Sequence, residues 1–385
     1  MLSKETLKNS LKALCEIDGV PGHEQEVIKY VLKEISSVCD EVRVTPYGNV
    51  IAMKKGSKPG PAVAVAAHMD QIGFIVKAIL PGGFLMINKV GGSPNNILPA
   101  RKVWVGQNRI PGVIGMKPGH LQTPEEASKA PTIEKCYVDI GVASKEEAES
   151  LGITIGTPIT YQSDFMEMHN PDLICTRSLD DRICCAVLIE LLKNLDKNDF
   201  AGTFYGIFTV KEEVGLWGAK TAIYGLPVDY VISIDTIPCA DTPDIGDPHA
   251  LNLKLGGGPV MAIAEGNGAR FNMVVPALRK IVEDAAKKRG KNLQICSVLG
   301  ISIGTDSAAF AHENGGTPAA DSRGSQRKPG GVSERLFRGQ RLRVGGSRDE
   351  NGISVLEPKR RKRTDTDAHH SRRVSRRHVR RDERL

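Results

Sequence analysis

The sequence predicts an α/β domain interrupted by a small inserted β domain. Three observations carry the prediction. Residues 62–67 form a continuous run of small apolar side chains, which suits a central strand buried on both faces. Residues 71–162 break into short β-like pieces separated by Gly/Pro turns, with little helical periodicity. Helix–strand alternation then resumes from residue 163, so the α/β domain is discontinuous, near 1–70 and 163–320. A chain of 385 residues is long enough for two such domains.

Taken in order, residues 7–39 read as two helices broken by Asp18-Gly19-Val20-Pro21-Gly22. Strands at 41–44 and 50–54 flank the turn Pro46-Tyr47-Gly48-Asn49. The central run at 62–67 ends abruptly at His68-Met69-Asp70. Within the insertion, 84–90, 102–105 and 111–116 are strand candidates. After it come a helix at 183–195, a strand at 202–209, a helix at 218–224 and a strand at 230–235. A helix over 273–289 and a strand at 294–298 complete the pattern.

The net charge of +7 hides an asymmetry. From Asp321 onward there are 20 Lys+Arg against 9 Asp+Glu, while the preceding chain carries 32 against 36. The body is mildly acidic and the tail alone is basic, so any argument for nucleic-acid binding concerns the tail. The tail has little aromatic interleaving, which predicts no specific nucleic-acid recognition. No apolar run approaches the roughly 18 residues of a membrane span, and no secretory signal opens the chain. Eight scattered cysteines without a CxxC pair argue for reduced thiols and a cytoplasmic protein.

Four acidic or His clusters sit where predicted strands end: His68-Met69-Asp70, Asp180-Asp181-Arg182, Glu212-Glu213 and Asp235. Singly, each is more often a solvated surface feature. Together they offer the His and carboxylate donors that suit zinc, cobalt or manganese. If Glu212 and Glu213 are extended, their side chains point to opposite sides, one toward a metal and one toward substrate.

The segments AHMDQIGFIV (67–76), SLDDRICCAVLIE (178–190), FTVKEEVGLWGAK (208–220), SIDT (233–236), KLGGGPV (254–260) and GTDSAAF (304–310) resemble, in order and spacing, the successive boxes of the TET-type, glutamyl-aminopeptidase-like family. Relatives of these dinuclear metallo-aminopeptidases have been labelled endoglucanases. The resemblance covers residues 1–320. It implies a three-layer phosphorylase/hydrolase-like aminopeptidase domain, a β-barrel-like domain inserted at 71–162, and homo-oligomers, either dimers or dodecamers. It further implies hydrolysis of N-terminal residues from peptides with two divalent metal ions. Carried over box by box, His68 holds one metal, Asp180 bridges both, Asp235 completes the first site and Glu213 binds the second. Glu212 is the general base and Asp70 orients His68.

The resemblance stops after GGTPAAD (315–321), where the family continues with a strand and a His-Ser-Pro-Val-Glu-like box that supplies the last metal ligand. Here the chain turns Arg-rich and loses apolar periodicity, so residues 321–385 are expected to be disordered. Lys328-Pro329-Gly330-Gly331 is compatible with codons that read Ser-Pro-Val-Glu when shifted by one base, which suggests a frameshift product. Two rival functions follow from the residues: glycoside hydrolysis by paired carboxylates, and nonspecific nucleic-acid binding by the tail. Only two Trp and the metal-type donor set weigh against the first.

Overall fold

The computed structural model describes residues 3–243, 252–267, 270–299, 304–313, 319–327 and 331–333. Helix α1 (Lys4–Glu16) starts at Ser3, whose hydroxyl accepts the Thr6 N–H at 3.0 Å. It buries Leu7, Leu11 and Leu14 along one stripe. Helix α2 (Gln25–Ile35) buries Val27, Val31 and Ile35 in the same way. Each such side chain contributes roughly 1.5–3 kcal/mol when fully buried, and that burial holds both helices on the sheet.

Strands β1 (Glu41–Val44) and β2 (Val50–Lys55) pair antiparallel. Strand β3 (Lys58–His68) follows. From its end the chain enters β4 (Gly73–Ile79), β5 (Leu85–Val90), β6 (Lys102–Val105) and β7 (Ile110–Gly115). A short helix α3 (Pro124–Ala127), strand β8 (Tyr137–Asp139), helix α4 (Lys145–Ser150) and strand β9 (Pro158–Tyr161) come next. Strands β4 to β9 close into a barrel of order β4-β5-β8-β7-β6-β9. Its interior is packed by Phe74, Leu85, Ile87, Val103, Val138 and Ile159, which makes it a small core of its own.

Strands β10 (Met166–Glu167) and β11 (Leu173–Cys175) lead back to helix α5 (Leu179–Asn194), strand β12 (Ala201–Thr209), helix α6 (Trp217–Ala222) and strand β13 (Tyr230–Pro238). Strands β14 (Val260–Asn267) and β15 (Arg270–Met273) pair antiparallel before helix α7 (Pro276–Lys288) and strand β16 (Gln294–Leu299). Helix α8 (Asp306–Glu313) and strands β17 (Ala319–Arg327) and β18 (Gly331–Ser333) are the last described elements.

The large sheet has β12, β3, β13 and β17 side by side and parallel. Alternation along β3 divides its side chains. Val65 and Ala67 join a core with α1, α2 and α5, while Ala64 and Ala66 join one with α6 and α8. Both faces of the central strand are therefore covered, as its unbroken apolar run predicts.

Three regions differ from the sequence-based expectations. Strands β14 and β15 pair antiparallel where periodicity misses them, because small residues and the buried Glu265 blur the alternation. Helix α7 starts at Pro276 rather than at 273, with proline in the first turn where its missing N–H costs nothing. Within the stretch expected to be disordered, residues 321–327 and 331–333 are described as strand. Backbone of β17 pairs with β13 through Gln326, and β18 pairs with β11. A parallel edge offers main-chain partners whatever the side chains, so loss of apolar periodicity does not forbid pairing there. Residues 334–385 lie outside the described residues.

The seating of α6 is tight. Asn49 Nδ2 donates to the Gly218 carbonyl at 3.0 Å, while Asn49 Oδ1 accepts the Val210 N–H at 3.2 Å. A Cβ at Gly218 would lie 2.0 Å from the Val210 carbonyl oxygen. Gly218→Ala is therefore expected to lower stability by about 1–3 kcal/mol, seen as a lower thermal midpoint; an unchanged midpoint would show that the helix can shift freely.

Candidate active site

Three chain segments converge at the C-terminal ends of parallel strands. Strand β3 ends on His68 and strand β13 carries Asp235 two residues beyond Ser233, which pairs with Ala66. The entry into α5 brings Asp180, and one donor atom from each of the three lies within 4.8 Å of the other two. Asp180 and Asp181 have non-helical backbone angles, so the regular turns of α5 begin only after them. That break turns Asp180 outward, half-exposed, while Asp181 is fully buried.

His68 is the hub. Its Nε2 lies 3.0 Å from Asp180 Oδ1, 3.9 Å from Asp235 Oδ1 and 4.0 Å from Glu212 Oε2. Its Nδ1 is 3.1 Å from the Asp70 carbonyl oxygen. Donation from Nδ1 to that carbonyl leaves Nε2 facing the carboxylates, and loss of the proton it shares with Asp180 would expose the lone pair through which a neutral histidine ligates metals. Behind the ring, Asp181 accepts the His68 N–H at 3.3 Å and Cys185 donates to the His68 carbonyl at 3.1 Å.

Asp70 reaches His68 mainly through its carbonyl, since its Oδ1 stands 3.6 Å from Nδ1. Its carboxylate is committed elsewhere. Oδ1 accepts the Glu212 N–H at 3.0 Å and Oδ2 accepts the Glu213 N–H at 3.1 Å. The premise that Glu212 and Glu213 are extended is corrected here: β12 ends at Thr209, and the pair sits in a turn entered through Lys211 at φ +55°. Turn geometry, not strand alternation, separates the two side chains. Glu24 Oε1 completes the set by accepting the Lys211 N–H at 3.2 Å.

The charge balance of the site is one-sided. Burial pushes Glu212 well above the usual carboxylate range, with Asp235, Asp306 and Glu213 adding to it and His68 opposing. Burial and then the nearby Asp180 raise Glu213 in the same way. Burial and Asp235 hold Asp181 high. For His68, burial acts downward, but Asp180 and Asp70, followed by Glu212 and Asp235, carry it well above its ordinary value. His68, Asp181, Glu212 and Glu213 each thus favour the form that carries an extra proton, so the pocket they line favours positive charge. One imidazole and two carboxylates converging on one point form a donor set that fits a divalent cation of the zinc, cobalt or manganese type.

Asp306 and Thr209 extend the network, the Thr209 hydroxyl donating to Asp306 Oδ2 at 2.5 Å. Glu24 and the backbone role of Asp70 escaped the sequence reading, because their partners are main-chain N–H groups far along the chain. A Cβ at Gly258 would meet the Asn292 carbonyl at 2.1 Å and one at Gly257 the Gln294 side chain at 2.8 Å, so both glycines allow packing on the entry to β16. His120, in the short 3₁₀ helix Gly119–Leu121, and His169, in a bend, are exposed, and His249, His369 and His370 lie outside the described residues. Among the described residues a single three-donor group is formed.

The profile of the M42 glutamyl aminopeptidase family matches residues 48–321. A putative aminopeptidase of Acetivibrio thermocellus is 35% identical over 76% of this chain and 83% of its own. Among solved structures, an aminopeptidase of the archaeon Desulfurococcus kamchatkensis superposes with a TM-score of 0.81 at 28% identity, covering 87% of this chain and 92% of its own. The TET1 peptidase of Pyrococcus horikoshii, described as assembling into a tetrahedron or a large octahedral shell, gives 0.74 at 29% identity over 86% and 96% of the two chains.

Proposed function

The chain belongs to the M42 glutamyl aminopeptidase family, and from that premise we propose that it removes N-terminal residues from peptides at the site built around His68. The observation that carries this reading is the convergence of His68, Asp180 and Asp235 beside the buried Glu212–Glu213 pair. His68, Asp180 and Asp235 would hold one divalent cation, and Asp180 with Glu213 would reach a second. Bound divalent cations supply electrophilic activation of the scissile carbonyl and of the attacking water.

The chain's own groups do the rest. Glu212 lies 4.0 Å from His68 Nε2 in a site that favours its protonated form, so it can take a proton from water and return it to the leaving amine. Asp70 keeps the imidazole tautomer through its carbonyl and the position of Glu212 through its carboxylate. The half-exposed Asp180 leaves one side of the cluster open to a peptide end. We read the sheet with helices on both faces as the three-layer hydrolase-like domain of the family, and residues 71–162 as its insertion. Self-association into a dimer or dodecamer belongs to the same reading, supported by the assemblies named for Pyrococcus horikoshii TET1. Among the described residues no helix is long and apolar enough to cross a membrane.

The test is hydrolysis of a panel of aminoacyl-p-nitroanilides by the full chain with cobalt, zinc or manganese. Release that EDTA stops and added metal restores is the expected result. A folded protein that releases no p-nitroaniline under any metal, or cleaves a glycoside substrate in EDTA, would overturn the proposal.

A further inference from the structure

We infer that Glu24 is a positioning residue whose buried carboxylate, with that of Asp70, clamps the backbone turn carrying Glu212 and Glu213. The inference rests on the reading of Glu212 as the base of the proposed reaction. Three successive N–H groups, those of Lys211, Glu212 and Glu213, are each bound by a carboxylate oxygen, at 3.2, 3.0 and 3.1 Å. Glu24 is 3% exposed and Asp70 is fully buried, so neither acceptor competes much with water.

The turn has a reason to need holding. Lys211 is not glycine, yet it stands at φ +55°, where L-residues are disfavoured by their Cβ. A left-handed residue followed by ordinary ones turns consecutive N–H groups toward a common concavity that attracts anions. Here the protein fills that concavity with its own side chains. Glu24 comes from the start of α2 and Asp70 from the end of β3, so two separate elements fix the same three residues. The Lys211 side chain is anchored as well, its Nζ lying 3.9 Å from the centre of the Tyr47 ring. Removal of Glu24 would leave the Lys211 N–H without this acceptor, and removal of Asp70 would leave those of Glu212 and Glu213 without theirs.

Glu24→Met and Glu24→Gln separate the acceptor from everything else. Methionine fills similar volume without an acceptor and without a buried charge, while glutamine restores a carbonyl oxygen. Hydrogen exchange of the full chain, read on peptides spanning 208–216 without metal, should be about 10–100-fold faster in E24M. Protection in E24Q should return close to the original. With metal and an aminoacyl-p-nitroanilide, E24M should lose kcat about tenfold or more with KM little changed, and E24Q should recover most of that loss. Unchanged exchange in E24M would overturn the clamp, as would an E24Q as unprotected as E24M, because charge rather than acceptance would then matter. An original chain that releases no p-nitroaniline would sink the functional reading alone, since exchange still decides the clamp.

Discussion

Glu212→Gln is expected to lower kcat about 10²–10⁴-fold, the usual contribution of a positioned general acid–base group. Each decade corresponds to about 1.4 kcal/mol of barrier, so the loss amounts to roughly 3–5 kcal/mol. Glutamine keeps the length and most of the hydrogen-bonding capacity of glutamate but cannot accept a proton at neutral pH. The Asp70 contact is to the Glu212 main chain, so the substitution leaves the turn in place. Burial and surrounding carboxylates already press Glu212 toward neutrality. The amide should therefore fold at least as well as the acid, and the thermal midpoint of metal-free protein should hold or rise. Metal uptake at His68, Asp180 and Asp235 should persist, because none of those donors changes. The informative measurement pairs kcat with metal stoichiometry. A variant that binds metal and keeps more than about a tenth of its kcat would remove Glu212 from the role of base. One that loses metal instead would make Glu212 a ligand.

That separation of roles shows which parts of the site a sequence reveals. His68, Asp180, Asp235 and the Glu212–Glu213 pair stand out because each follows or precedes an apolar run, and strand ends are where parallel sheets place ligands. The small-apolar run of β3 reads directly as a strand covered on both faces, since alternation is lost only when both faces are buried. The geometry between the clusters is another matter. An αL lysine gives no sequence signal of the kind glycine gives, so the Lys211 turn is invisible until the backbone is seen. The same holds for the break at Asp180-Asp181 inside an otherwise helical stretch. Glu24 lies 187 residues from its Lys211 partner and looks like any acidic residue at a helix start. The pairing of β14 and β15 escapes for a different reason: a buried Glu265, which accepts from Thr305 at 3.0 Å, occupies a place where alternation calls for an apolar residue. Periodicity measures hydrophobicity, and it fails where a buried polar residue is satisfied by a distant partner.

Asp180→Asn is expected to have an effect as large, with an opposite signature in binding. Asp180 is the nearest carboxylate to His68 Nε2, at 3.0 Å, and the acidic neighbour that most raises Glu213. Replacing it with a neutral amide removes a metal ligand and at the same time relieves repulsion among the remaining acids. Metal-free protein should be as stable as the original or more so. The stabilisation that saturating metal gives the folded state, about 2.7 kcal/mol at a hundred times Kd, should shrink or vanish. Activity should fall about a thousandfold or more, the several kcal/mol that metal assistance contributes to such hydrolyses. Thermal midpoints measured with and without zinc or cobalt, beside p-nitroanilide turnover, read both halves of the prediction. Coincident midpoints in the variant, against a clear rise in the original chain, would place Asp180 among the ligands. An undiminished metal-induced rise would show that His68, Asp235 and the glutamates hold the cation without it, and the bridging role would have to pass to another residue. The half-exposure of Asp180 makes the experiment clean, because the substitution disturbs little packing while it removes a central charge of the site.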